Sequence, residues 1–146
     1  MQNLVFQALG GLIVAVYNEH PPTDEDHRKA LAVFRTMDFD RAKFLGVTRG
    51  GAPTPAQRKE LTDTLRGREL QAAIVSDVRL VRGVVTALSW FNRKIRAYSM
   101  GEMEQALEYL EVPEGKRDRV RATVRHLEID VNVTPYEHEP RTAARG

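Results

Sequence analysis

Short apolar runs alternate with amphipathic segments along most of this chain. Two runs of β-prone residues, Leu4–Leu9 and Leu12–Tyr17, are separated by the pair Gly10-Gly11. Glycine pairs supply the positive φ angles that a two-residue hairpin turn needs, so these runs predict an antiparallel β-hairpin. The second run is apolar at nearly every position, which is typical of a strand covered on both faces.

After the hairpin, helical and strand patterns alternate. Thr23 followed by three acidic residues is typical of a helix N-terminus, and the apolar spacing behind it predicts a helix over about 24–37. The other predicted elements are strands at 44–48, 72–76 and 95–98 and helices at about 55–65, 81–91, 100–110 and 114–131. The order ββαβαβαβα plus an extra C-terminal helix predicts an α/β fold with a mostly parallel sheet and helices packed on it.

Composition narrows the class of protein. With 146 residues the chain can bury a core as one domain, and its lack of cysteine excludes a disulfide scaffold, thiolate catalysis and cysteine-based metal sites. No apolar run approaches the roughly 20 residues that a membrane-spanning helix needs. The apolar N-terminus has no basic region of the kind that opens a signal peptide. We therefore expect a soluble, cytoplasmic protein without a membrane span.

The net charge says little about function, because the chain has 22 basic and 20 acidic residues and both kinds are spread evenly along it. One basic cluster lies in the predicted C-terminal helix, and no aromatic residue near it offers a stacking platform for a nucleic acid. We interpret the cluster as a solvated helix face, with nucleic-acid binding as an alternative. Its members are Lys116, Arg117, Arg119, Arg121 and Arg125.

The motifs of common enzymes and metal sites are absent from the sequence. The four histidines are scattered, and no H-x-x-x-H, H-E-x-x-H, G-x-S-x-G or phosphate-binding glycine motif occurs. We expect no catalytic residue, no metal and no cofactor. A small-ligand site, for a lipid or a nucleotide, is an alternative function at the carboxyl ends of two predicted strands, formed by Thr48, Ser76 and Asp77.

The segment 81–91 is apolar almost all round, and it ends in Trp90 and Phe91. Such a helix is buried in its domain or covered by another chain. Basic residues on either side would form a polar rim around an apolar interface. Both alternatives, core and interface, are therefore open at this point.

Four segments together resemble the STAS superfamily, the anti-sigma-factor antagonist fold, in its divergent lipid-transfer-like or antagonist-like bacterial branch. They are LVFQALGGLIVAVYNE, FLGVTRGGAPTPAQRKEL, AAIVSDVRLVRGVVTALSWF and IRAYSMGEMEQALEYL, and they cover about residues 3–112. The resemblance implies a STAS-like mixed sheet with an N-terminal β-hairpin in a domain over 1–112. An amphipathic helix over 113–131 and a flexible tail over 132–146 would follow.

The resemblance further implies a non-enzymatic regulatory module that signals by docking onto another protein, a regulator or a kinase-like partner. In the antagonists of this superfamily a kinase phosphorylates a serine at the start of the helix after the central strand. That place corresponds here to the loop 50–54, where the usual Asp-Ser pair is missing. Thr54 is the phosphorylation candidate, with Thr48 as the second choice.

We expect the partner surface to combine the loop 50–54, the exposed side of the helix over 55–65 and the edge of 81–91. A homodimer through the same surface is a further alternative. The candidate contact residues are Arg49, Gly50, Gly51, Thr54, Arg58, Lys59, Arg82 and Trp90.

Overall fold

A five-stranded mixed sheet runs through the centre of the computed structural model, which describes residues 2–136. The strands stand side by side in chain order: β1 Leu4–Leu9, β2 Leu12–Tyr17, β3 Lys43–Thr48, β4 Gln71–Val75 and β5 Ile95–Tyr98. Strand β1 pairs antiparallel with β2, and the other neighbours are parallel. Gly10 has a φ of 61° in the turn between Leu9 and Leu12, which confirms the predicted hairpin.

Five α-helices follow the predicted pattern closely. They are α1 Asp24–Thr36, α2 Pro55–Leu65, α3 Arg79–Ser89, α4 Met103–Tyr109 and α5 Glu114–Asp130, with a 3₁₀ turn at Met100–Glu102 before α4. The predicted α/β class and element order are confirmed. Helix α3 differs from the prediction, because it begins two residues earlier and ends before Trp90 and Phe91. Between residues 2 and 136, no helix combines the length and the hydropathy that crossing a bilayer requires.

The sheet separates two layers of helices. Since β2 to β5 are parallel and adjacent in order, right-handed crossovers place α1, α2 and α3 on one face. Alternate strand residues point to opposite faces. Ala15 and Phe44 pack with residues of α1 and α2, whereas Val14 and Leu45 pack with α4 and α5.

Helix α5 belongs to the same core as residues 1–112. Val120, Val124 and Leu127 are buried in the cluster that α4 and the sheet also form. The described start of the predicted tail, 132–136, also lies against this core, because Val133 is only 8% exposed. The rest of the predicted flexible tail, 137–146, lies outside the described residues.

Candidate docking surface

The three parts of the expected partner surface lie together on one face of the sheet. The backbone at Gly50 lies beside the Val78 side chain, just before α3. Helices α2 and α3 flank a groove whose walls include Leu61 from α2 and Val84 and Leu88 from α3. The groove holds a cavity of about 120 Å³. The loop, α2 and α3 therefore form one continuous surface around an apolar groove.

Helix α3 carries apolar residues on two sides. Val81 and Val85 are buried toward the sheet. Leu80 is 72% exposed, Phe91 is 58% exposed and Trp90, the C-cap residue of α3, is 78% exposed. Trp90 and Phe91 therefore lie on the surface, so the core alternative is wrong for this pair.

The surroundings of α3 are strongly basic. Residues 78–98 contain five Lys or Arg residues and no Asp or Glu. Arg82, a predicted contact residue, is exposed and lies near the Glu102 carboxylate. Hydrogen bonds from the Ser99 backbone and hydroxyl hold the pKa of Glu102 below its ordinary value, and the charge of Arg82 acts in the same direction. The exposed apolar edge of α3 thus has a positively charged rim.

In the loop after β3, two of the predicted contact residues are not exposed on this surface. Gly51 is buried, and its N–H donates to the Asn18 carbonyl at 2.8 Å. The carbonyl oxygens of Asn18 and His20 occupy the space that a Cβ at Gly51 would need. Arg49 turns to the opposite side of the sheet, toward α5. Of the glycine pair, Gly50 is partly exposed and Gly51 is buried.

Arg49 instead forms an ion pair with the fully buried Glu128 of α5, and its own side chain is 27% exposed. Its Nη2 lies 2.7 Å from Glu128 Oε2 and also donates to the Thr134 carbonyl at 2.9 Å. Glu128 is 0% exposed, and within the described residues its Oε1 makes no hydrogen bond. Sequence reasoning missed this pair. The signal was present, since Glu128 follows Val124 by four residues and so falls on the buried face of α5.

Thr54 is the N-cap residue that holds the N-terminus of α2. The Thr54 hydroxyl accepts from the Gln57 N–H at 3.2 Å, and the Gln57 Oε1 accepts from the Thr54 N–H at 2.9 Å. This reciprocal pair is a capping box, and Thr54 is half-buried. The buried Gln57 side chain also donates to the Pro22 carbonyl at 3.0 Å, which ties α2 to the segment before α1.

Removing the Thr54 hydroxyl should loosen this helix start. We expect Thr54→Ala to lower the free energy of unfolding by about 0.5–2 kcal/mol, because one helix N–H loses its acceptor. Thr54→Asp keeps an acceptor at the N-cap and should stay close to the wild type. Urea unfolding followed by circular dichroism measures both. Equal losses in the two variants would show that the cap is not what Thr54 contributes.

The two predicted basic contact residues on α2 differ in how exposed their side chains are. Arg58 is partly buried, and its Nη1 donates to the Pro53 carbonyl at 2.9 Å, so it holds the loop. The side chain of Lys59 is 77% exposed and forms an ion pair with Asp63 at 2.9 Å. An exposed pair of this kind contributes only about 0–1 kcal/mol. Lys59 is therefore the more available of the two for a partner.

The polar residues of the alternative ligand site are occupied within the chain. Thr48 is 3% exposed and Ser76 is 1% exposed. The Thr48 hydroxyl donates to the Gly51 carbonyl, the Ser76 hydroxyl accepts from the Val78 N–H, and an Asp77 carboxylate oxygen accepts from the Met100 N–H. Of these three residues, Thr48 borders the cavity of the groove. Their hydrogen bonds hold loops rather than converge on an open cleft.

The basic cluster of α5 lies on the opposite face of the sheet from the groove. Arg117 and Arg121 both pair with Glu104 of α4, and Arg121 also pairs with Asp118. Lys116 and Arg125 are exposed. These pairs neutralise part of the cluster, which favours the interpretation as a solvated helix face over a nucleic-acid site.

Neither a metal site nor a similar protein assigns a function to this surface. Among residues 2–136, no group of three or more His, Asp or Glu side chains is arranged to hold a metal ion. Of the four histidines, His138 lies outside the described residues. When the chain was compared with protein-family models, curated proteins and solved structures, none of them matched it.

Proposed function

We propose that this chain is a STAS-like regulatory module that docks onto a protein partner and performs no catalysis. The observation that carries the proposal is the exposed apolar edge of α3, where Leu80, Trp90 and Phe91 are each more than half exposed. Large apolar side chains exposed at both ends of one helix favour an interaction surface along that helix. Tryptophan is also among the residues that dominate binding energy at interfaces.

The charge around this edge favours an acidic partner. Arg79, Arg82, Arg93 and Lys94 are exposed around α3, and Lys59 is exposed on α2. Complementary charge at an interface rim speeds encounter and selects among partners. A partner with an apolar patch bordered by Asp and Glu would fit, for example one amphipathic helix laid along the groove between α2 and α3.

The fold and the loop 50–54 also support the proposal. The opening hairpin and the mixed sheet with helices packed on it are the features that the STAS resemblance implies. Thr54 stands at the start of the helix after β3, at the place that the resemblance gives to the phosphorylated residue. A phosphate there would stabilise α2 through its interaction with the positive end of the helix dipole, and it would repel an acidic partner. We therefore propose Thr54 as the switch residue of a cytoplasmic bacterial signalling module.

Reversing two exposed charges at the rim should abolish most partner capture. In affinity capture from the native cell with mass spectrometry, we expect the Lys59→Glu, Arg82→Glu variant to retain about tenfold less partner than the wild type. Both side chains are exposed, so the free energy of unfolding should change by only about 0.5 kcal/mol.

The matched control reverses two charges on the other face. Lys116→Glu, Arg125→Glu makes the same change in net charge on α5, and it should capture the same proteins as the wild type. If both variants lose the same proteins, net charge and not this surface decides capture. If neither loses any, the proposed surface is wrong. Light scattering on the wild type tests the homodimer alternative, since self-association would appear without any partner.

A further inference from the structure

The cavity in the groove exists because α2 covers the sheet poorly. On the groove side α2 offers Leu61 and Leu65 as its large apolar side chains, and the strand beneath contributes the small residue Ala72. Phe44 and Ile74 complete the floor. A thin apolar stripe above a small residue leaves space that no side chain of the described chain fills, and the structure retains about 120 Å³ there.

The size and lining of the cavity suit an apolar guest better than water. An engineered protein cavity of about 150 Å³ lined by Leu, Ile and Phe stays dry and binds benzene or xenon. The present cavity is similar in volume and has the same kinds of side chain on its floor and walls. Its free space therefore matches a benzene-sized ring or a short alkyl chain.

The cavity lining contains polar side chains as well as apolar ones. The lining includes His27, Tyr17 and Thr48, and no Asp, Glu, Lys or Arg residue. The His27 side chain is 9% exposed, and among the described residues its Nε2 makes no hydrogen bond, although Glu60 Oε1 lies 3.3 Å away. Burial raises the pKa of Tyr17 to about 12, so its hydroxyl stays protonated. The cavity lining thus contains a buried imidazole nitrogen and a protonated tyrosine hydroxyl.

We propose that this cavity binds a small, uncharged apolar molecule that carries one alcohol or carbonyl oxygen, with the oxygen toward His27. A carboxylate is disfavoured, because it would be buried without a positive partner and close to Glu60. Phe91 borders the cavity and is 58% exposed, so the guest enters beside the exposed edge of α3. The cavity lies inside the groove, beneath the surface that the partner is proposed to contact, and neither Lys59 nor Arg82 of the capture experiment lines it.

Two probes of equal chain length test the proposal on the full chain. 1-Hexanol and hexanoate are titrated at pH 8 into isotope-labelled protein, and the methyl signals of Ile74, Val85 and Leu88 are followed by NMR. We expect saturable shifts with 1-hexanol and at least about tenfold weaker binding of hexanoate, which equals about 1.4 kcal/mol. Equal binding of both probes, or shifts that do not saturate, would overturn the proposal.

A cavity-filling variant locates the site. Ala72→Leu places a larger side chain in the space, so binding of 1-hexanol should weaken about tenfold or more. Ala32→Leu makes the same chemical change at an exposed position of α1 and should bind like the wild type. If Ala72→Leu does not unfold cooperatively, Leu65→Phe is used in its place, because it fills the cavity from the side of α2. Unchanged binding in the filled variant would refute the assignment. The outcome does not depend on the capture experiment, which changes only charges at the rim.

Discussion

Replacing Arg49 with methionine is expected to lower the free energy of unfolding by about 3–5 kcal/mol, because it leaves a buried carboxylate without its partner. Glu128 is 0% exposed, and the Arg49 guanidinium at 2.7 Å is the cation that compensates it. Urea denaturation followed by circular dichroism measures the loss. The effect should exceed that of any exposed charge in the molecule, since exposed pairs contribute about 0–1 kcal/mol.

The double variant separates charge burial from packing. Arg49→Met combined with Glu128→Leu removes both charges and replaces them with apolar side chains. Such replacements of buried ion pairs are often neutral or stabilising by about 1–4 kcal/mol. We therefore expect the double variant to recover most of the stability that Arg49→Met alone loses. A double variant as unstable as the single one would show that the arginine acts through its contact with the Thr134 carbonyl and not through Glu128.

Replacing Gly51 with alanine is the second change with a large expected effect. A Cβ there would lie 2.6 Å from the Asn18 carbonyl oxygen and would overlap the His20 carbonyl as well. Both obstacles are backbone atoms. The Gly51 N–H donates a hydrogen bond to the Asn18 carbonyl, so the loop cannot move aside without losing this hydrogen bond. We expect Gly51→Ala to lower the free energy of unfolding by about 3 kcal/mol, at the upper end of overpacking effects.

The same substitution at Gly83 should change the free energy of unfolding in the opposite direction. Gly83 lies in the interior of α3, and a Cβ there would meet no atom within 4 Å. Gly83→Ala should therefore raise the free energy of unfolding by about 0.8–1.0 kcal/mol, the difference in helix propensity. Thermal and urea unfolding of both variants test the pair of predictions. Equal effects at the two glycines would mean that the close approach at Gly51 is not a constraint on the fold.

The architecture was predictable because its signals are local. The pair Gly10-Gly11 marks the hairpin, and Thr23, Thr54 and Ser99 each begin a helical segment with a reciprocal cap. Each of these signals involves residues within a few positions of one another, so sequence spacing alone reveals them.

The surface was predictable only in part, because the remaining features depend on contacts between distant segments. Arg49 and Glu128 are 79 positions apart, so nothing near Arg49 in the sequence shows that it turns toward α5. The burial of Gly51 depends in the same way on residues before α1. An apolar segment such as 81–91 also does not reveal which of its sides faces solvent. The exposure of Trp90 and Phe91 follows from the end of α3 at Ser89.

The position of the single tryptophan determines what its fluorescence can measure. Trp90 is already 78% exposed in the folded chain, so its surroundings change little when the chain unfolds. Burial beneath a bound molecule would instead exchange water for apolar atoms around the indole ring. Its emission is therefore a label-free signal for occupancy of the α3 edge, largely independent of whether the rest of the molecule stays folded.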